Sequence, residues 1–193
     1  MPFEPPVVTK IVSNAEEMAQ VLAIRSAVYL AEQACPYEEE FDGNDYSATH
    51  VLGLVDGRPA ACVRWRWFAD FAKGERMAVL PAHRGSGVSA KILDRSYELC
   101  RRKGYRRVLV HAQRHLVRHW QKFGFRIKSG AVFRFSDYDY VSMVRDLPAD
   151  ARALTADSDP MLLIRPDEEP DRPGVLERST QRQTPRPGRL SLA

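Results

Sequence analysis

The stretch Met77-Ala-Val-Leu-Pro-Ala-His-Arg-Gly-Ser-Gly-Val-Ser-Ala90 decides the fold. An apolar, strand-like run enters it, Pro81 stops the strand, and a helical pattern leaves after Gly85 and Gly87. Successive backbone N–H groups in such a turn form a concave anion site, and the dipole of the following helix adds partial positive charge. Glycine at positions 85 and 87 lets the backbone approach a phosphate without a Cβ in the way. Arg84 adds a permanent charge at the mouth. A Gly-x-Gly also occurs in ordinary tight turns. The segment is no Walker loop, because no Gly-Lys-Ser/Thr follows. It also lacks the acidic residue of a dinucleotide fingerprint.

Outward from this turn, the spacing predicts a helix from about Val88 to Lys103, with Ile92, Leu93, Ser96, Tyr97 and Cys100 on its core face and Gly104 as its left-handed cap. Arg107–His111 reads as a short buried strand. A helix over about Arg114–Phe123 follows, closed by Gly124, and Phe125–Lys128 and Tyr140–Arg145 read as the last two strands. Upstream, Val7–Val12 is a strand, and Ser13 with Glu16 forms a capping box for a helix running to about Glu32. Residues 33–47 form a polar, acidic loop. His50–Val55 and Ala60–Phe68 are strands joined by the Asp56-Gly57 turn, and Glu75–Leu80 is the strand that feeds the glycine turn. The order β-α-β-β-β-α-β-α-β-β predicts a mixed α/β (α+β) sandwich.

Composition bounds the rest. At 193 residues, one domain is the default. No apolar run approaches the roughly 18 residues that cross a bilayer, and no signal peptide is visible, so the expectation is a cytoplasmic protein without a membrane partner. Cys35, Cys62 and Cys100 are odd in number and far apart, which fits neither a disulfide framework nor a zinc ribbon. All 18 aromatic residues lie at or before Tyr140, while residues 147–193 hold seven of the 13 prolines. A segment without aromatics buries little area per residue. The expected division is therefore a folded domain over residues 1–147 and a Pro/Arg/acidic tail over 148–193, mostly disordered or loosely docked. The 22 basic and 17 acidic residues before that tail give a balance of +5. This excess fits an anionic ligand and is too diffuse to argue for nucleic acid.

With these residues in place, a family resemblance can be stated. Arg84-Gly-Ser-Gly-Val-Ser89 resembles the Arg/Gln-x-x-Gly-x-Gly/Ala signature of the GNAT N-acetyltransferase superfamily, and Val79-Leu-Pro81 resembles its lead-in. His119-Trp-Gln-Lys-Phe-Gly-Phe125 resembles the family's Phe-Tyr-x-Lys-x-Gly-Phe element. Glu32–Tyr37 and Asp42–His50 resemble its ElaA-like branch. The resemblance covers about residues 7–146. It implies the acyl-CoA N-acyltransferase fold, a mixed sheet of about 6–7 strands with helices on both faces. It implies acetyl-CoA as cosubstrate and no metal. The cosubstrate would lie in a splay between Glu75–Leu80 and Arg107–His111, with its pyrophosphate on the amides of Arg84, Gly85, Ser86, Gly87, Val88 and Ser89. The backbone at Met77 and Val79 would pair with the pantetheine arm, and the Val79 amide would polarise the thioester carbonyl. A primary amine of a small molecule or peptide would then attack directly in a ternary complex.

Two positions depart from the family pattern. Ser89 replaces the last small Gly or Ala. Trp120 stands where a Tyr often protonates the leaving thiolate, and an indole cannot be that acid. It remains a candidate cosubstrate contact, with His119, His111 or water as substitute acids. An unaided thiolate is the remaining route, given a thiol pKa of about 8.5.

Each candidate has a plainer alternative. Glu75 could serve as general base for the amine or form a salt bridge on a half-exposed strand. His111, His115 and His119 are spaced by four, yet His111 ends a strand and no third ligand completes a zinc pattern. Trp65 and Trp67 suit core packing, Arg64 and Arg66 a solvated face, and Cys100 an inert core. The acidic run Glu38, Glu39, Glu40, Asp42 and Asp45 either attracts a cationic amine or is solvated. Met161–Ile164 is an apolar island in the tail that could dock on the domain or on a second copy in a homodimer. Two other functions compete: transfer of longer acyl groups, as in N-acyl amino acid or acyl-homoserine lactone synthases, and a catalytically silent CoA-binding module.

Overall fold

The computed structural model describes residues 6–135 and 137–179. The elements follow the expected order, with one short helix, α2, added inside the expected 33–47 loop: β1 (Val7–Ile11), α1 (Ala15–Arg25), α2 (Tyr37–Glu40), β2 (Thr49–Val55), β3 (Arg58–Trp67), β4 (Ala72–Val79), α3 (Val88–Arg102), β5 (Arg107–Gln113), α4 (Val117–Gln121), β6 (Arg126–Phe135) and β7 (Tyr138–Asp146). One seven-stranded sheet forms in the order β1-β2-β3-β4-β5-β7-β6, antiparallel except for the central β4–β5 pair.

Strand alternation splits the core into two layers. Val51, Val63, Trp65, Val108 and Val110 pack with Ile92, Leu93, Tyr97 and Cys100 of α3. Leu52, Cys62 and Ala78 face the other way, against Val21, Ile24 and Val28. Gly53 permits the close seating of α3, since a Cβ there would lie 2.7 Å from both Val88 and Ile92.

Several local expectations are corrected. The first helix is capped one residue later than predicted: the Asn14 side chain accepts from the Glu17 amide at 2.9 Å, and Glu17 reaches back to the Ser13 amide at 2.8 Å. Beyond Arg25 the helix continues over Ser26–Glu32 as a wider π-helical stretch. The Arg114–Phe123 helix is a 3₁₀ turn over Arg114–Leu116 followed by the short α4. The stretch between the expected strands Phe125–Lys128 and Tyr140–Arg145 mostly extends β6 and β7 into a hairpin, with a bulge between Ile127 and Val132.

After β7, two short helices, α5 (Pro160–Leu163) and α6 (Val175–Ser179), lie in the tail. The Leu154 amide donates to the Arg102 carbonyl, Lys103 pairs with Asp167 at 2.8 Å, and Arg95 donates to the Glu168 carbonyl at 2.9 Å. These contacts lie along α3. Met161, Leu163 and Ile164 of the apolar island are exposed. The tail after Ser179 lies outside the described residues.

Candidate active site

The parallel pair β4–β5 is joined over only three rungs: Ala72–Val108, Lys73–Leu109 and Gly74–Val110. From Glu75 and His111 onward the strands diverge, so β4 faces a V-shaped opening along its C-terminal half. A bulge sharpens the divergence. Cys62 pairs with Ala78 and Arg64 with Glu75, so Arg76 and Met77 together oppose Val63. Arg76 sits at φ +51, the left-handed region that a side chain rarely adopts. Ala78 is a ladder partner of β3, and the Leu80 amide donates to the Ala60 carbonyl. Strand alternation therefore turns the N–H and C=O of Val79 away from β3, into the opening. The Tyr29 hydroxyl, from the π-helical stretch, donates to the Met77 carbonyl at 2.7 Å.

The glycine turn lies at the mouth of this opening. Gly85 and Gly87 have φ +84 and +79, and a Cβ at either would meet nothing within 4 Å. Glycine is thus required by backbone conformation and leaves open space in front of the amides. Gly87 is the N-cap of α3 and makes no side-chain cap bond, while the Val88 amide donates to the Ser86 hydroxyl at 3.4 Å within the turn. The Ser86 hydroxyl donates to the His83 carbonyl at 2.7 Å, which closes the turn. Val88 is buried and can offer only its backbone, and Ser89 is half-buried. Arg84 reaches across the mouth, pairing with Glu32 at 2.5 Å and donating to the Val79 carbonyl at 3.3 Å.

Glu75 lies just past the last rung of the ladder. Its carboxylate takes Lys73 at 2.6 Å and Arg64 at 2.7 Å. Burial works to raise its pKa, but Lys73 and Arg64 outweigh burial and hold it below the usual carboxylate range. That favours a fixed negative charge over a proton acceptor. Across the opening, His111 is half-buried beside Phe133, at 4.8 Å between ring centres. Burial, reinforced by Lys73, lowers its pKa to about 4, so the imidazole is neutral at pH 7. His119 lies on α4 against Phe123 and Trp120, with its pKa lowered by burial and Lys122. Trp120 packs edge-on against Phe125 at 5.2 Å and lends its ring to the α3-side core. His115 lies near Tyr138, and among the described residues no cluster of His, Cys, Asp and Glu could hold a metal ion.

The acidic loop and Arg64 depart from their solvated reading. Arg64 is 1% exposed and bonds Asp42 at 2.7 and 2.8 Å, Asp45 at 3.0 Å and Glu75. Fully buried Arg25 joins Glu40 and Asp45, and Arg76 bridges to Glu40 at 2.9 Å. The loop after α1 is thereby fastened to the bulge of β4. Arg66 is only half-exposed, with its guanidinium 5.2 Å from the centre of the Phe68 ring. Trp65 is fully buried, and Trp67 stacks on Tyr105. The sequence reading missed Arg25, Tyr29 and Arg76. For Arg25 a signal existed: it falls between Val21 and Val28 on the apolar stripe of α1, where a cation needs a buried partner.

This network carries an acid-stability prediction. Burial opposes ionisation of Asp42 and Asp45 as it does of Glu75, but their arginine partners prevail and all three pKa values are lowered. Such groups stabilise the fold above their unfolded pKa, near 4, and lose that contribution as pH falls through the folded value. Glu40 has the opposite sign, since burial raises its pKa against Arg25. Three groups against one should hold the thermal midpoint level down to about pH 4–5 and lower it below. A midpoint that stays flat to about pH 3 would show that the network adds no net stability.

Comparisons with known proteins agree with this geometry. Residues 18–125 match the Acetyltransferase (GNAT) family. The chain is 28% identical over 136 residues to the uncharacterized N-acetyltransferase YjcF of Bacillus subtilis, covering 70% of this chain and 97% of that protein. The crystal structure of Escherichia coli ElaA superposes with a TM-score of 0.64 at 25% identity, covering 72% of this chain and 99% of that one. A GNAT family acetyltransferase from Elizabethkingia anophelis, solved with acetyl-CoA bound, shares the fold with a TM-score of 0.56 at 14% identity over 73% of this chain and 98% of that one. Among the described residues no helix is long and apolar enough to cross a membrane.

Proposed function

Because the chain belongs to the GNAT acetyltransferase family, we propose that it moves an acetyl group from acetyl-CoA to a primary amine of a small molecule or peptide, by direct attack in a ternary complex. The observation that carries this reading is the opening between β4 and β5, which meets a glycine turn at its mouth and has the Val79 peptide groups directed into it. The amides of residues 84–89 would hold the pyrophosphate, with the Arg84 guanidinium as counter-charge after it leaves Glu32. The Val79 N–H would steady the oxyanion, and the backbone at Met77 and Val79 would align the pantetheine arm. Trp120 would form part of the apolar wall near the thiol. Glu75 would act as a fixed negative charge that favours the developing ammonium. His119 is the side-chain candidate to meet the leaving thiolate, which at a pKa of about 8.5 also departs without a strong acid. Residues 1–147 would form the catalytic domain and 148–193 an appended segment.

The test is CoA-thiol release over a panel of amines, with acyl-CoA donors from two to eight or more carbons. Amine-dependent release that is fastest with acetyl-CoA is expected. A maximum at eight carbons or longer would replace the acetyl reading with a long-chain one. Tight acetyl-CoA binding without turnover of any amine would leave a silent binding module.

A further inference from the structure

The face of the sheet opposite α3 is unevenly covered. Helix α1 lies over β2, β3 and β4, whereas α4 packs on the α3 side through Val117 and Trp120. Among the described residues no helix covers the α1-side face of β5, β7 and β6, and the residues of that face follow from register. His111 shares that face with Lys73 and Glu75, because Lys73 pairs with Leu109 and both strands alternate. Tyr140 opposes Phe133 and lies beside Gln113, two residues past His111. Phe133 stacks with Tyr140 at 6.1 Å, Phe135 meets both rings at 5.2 Å, and Phe135 is 53% exposed. The Gln113 amide donates to the Tyr140 hydroxyl at 3.2 Å, which fixes that ring's edge. The result is an aromatic wall that begins at His111, where β4 and β5 part.

We propose that this wall is the acceptor subsite, and that it selects a primary amine carried on an aromatic body. The inference rests on the transferase reading and adds the acceptor class. The wall is continuous with the opening, so an amine lying on Phe133, Phe135 and Tyr140 delivers its nitrogen beside His111 and Glu75. The imidazole is neutral and can accept a hydrogen bond from the attacking amine. The amine enters as the free base. Its lone pair forms the N–C bond to the thioester carbonyl carbon, and the C–S bond breaks with its electron pair leaving on sulfur. The extra proton on nitrogen is lost to solvent on the open face, His111 only accepting its hydrogen bond, while the thiolate takes a proton from solvent. An aromatic ring gains from offset or edge contacts with the wall that a polyamine or amino sugar does not make.

The test compares 2-phenylethylamine, spermidine and glucosamine as acceptors with saturating acetyl-CoA, for the full chain and its Phe133→Ala and Phe135→Ala variants. Phe135 is exposed, so its truncation leaves the core intact. The expected result is kcat/KM at least about tenfold higher for phenylethylamine, lost mainly through its KM in both variants, with KM for acetyl-CoA unchanged. His111→Gln should lower kcat for every accepted amine. A preference for spermidine or glucosamine, or a preference untouched by both phenylalanine variants, overturns the inference. Acetyl-CoA binding, seen by calorimetry, with none of the three amines turned over, or failure to bind acetyl-CoA at all, would instead refute the underlying transferase reading.

Discussion

Replacing Gly87 with valine is expected to weaken acetyl-CoA binding by at least about 100-fold, about 2.8 kcal/mol at 1.4 kcal/mol per factor of ten. Two effects combine. Gly87 has φ +79, where a β-branched side chain is strained by about 1–3 kcal/mol. Its Cβ would also project into the open space before the amides at the start of α3, where the pyrophosphate is proposed to sit. The first effect lowers stability and the second lowers affinity, so a control is needed. Gly104, at the other end of α3, has φ +85 and open space around it, yet lies far along the helix from the turn. Gly104→Val should reproduce the loss of stability while leaving affinity within about threefold. Isothermal titration of both variants decides the matter. If Gly87→Val binds acetyl-CoA as tightly as the parent, the cradle has been assigned to the wrong turn.

Arg64→Met is expected to produce the largest loss of stability, about 3–5 kcal/mol. The guanidinium is 1% exposed and is shared by Asp42, Asp45 and Glu75. Methionine fills much of the volume but leaves carboxylates facing one another without their common cation. For a domain of this size the midpoint should fall by roughly 6–20 °C. Arg107→Met offers the contrast. Arg107 pairs with Asp146 at 3.1 Å, with both side chains about half exposed, and such surface pairs are worth about 0–1 kcal/mol. Thermal melts of the two variants at neutral pH and low salt should therefore differ widely. Equal midpoints would mean that the buried network is replaceable by apolar packing. Because Glu75 loses its main buried partner, the variant that still folds should also show altered turnover.

Much of the fold was legible because its signals are local. The pattern Ile92, Leu93, Ser96, Tyr97 and Cys100 marks the buried face of α3, and all five are buried. Asp56-Gly57 marks the β2–β3 turn, and both residues adopt positive φ. The glycine turn was readable for the same reason: a chain that must pass through left-handed backbone before a helix has few residues to choose from. The hairpin over 128–139 was misread because polar and aromatic residues alternate irregularly along an exposed edge strand, and a bulge breaks their period.

The order of the strands and long helices, the glycine turn and the departure of Trp120 from the family pattern were determined by the sequence itself, because each rests on neighbours within a few residues. Tertiary structure alone decided which charges met. Arg25, Glu40, Asp45 and Arg64 lie up to 39 residues apart, and nothing local distinguishes a solvated acid from one held by a buried guanidinium. It also decided that β4 and β5 stay joined for three rungs and then part. A β4 bulge held by Tyr29 and Arg76 sharpens that divergence, through long-range contacts that form only when helix, loop and sheet are packed together.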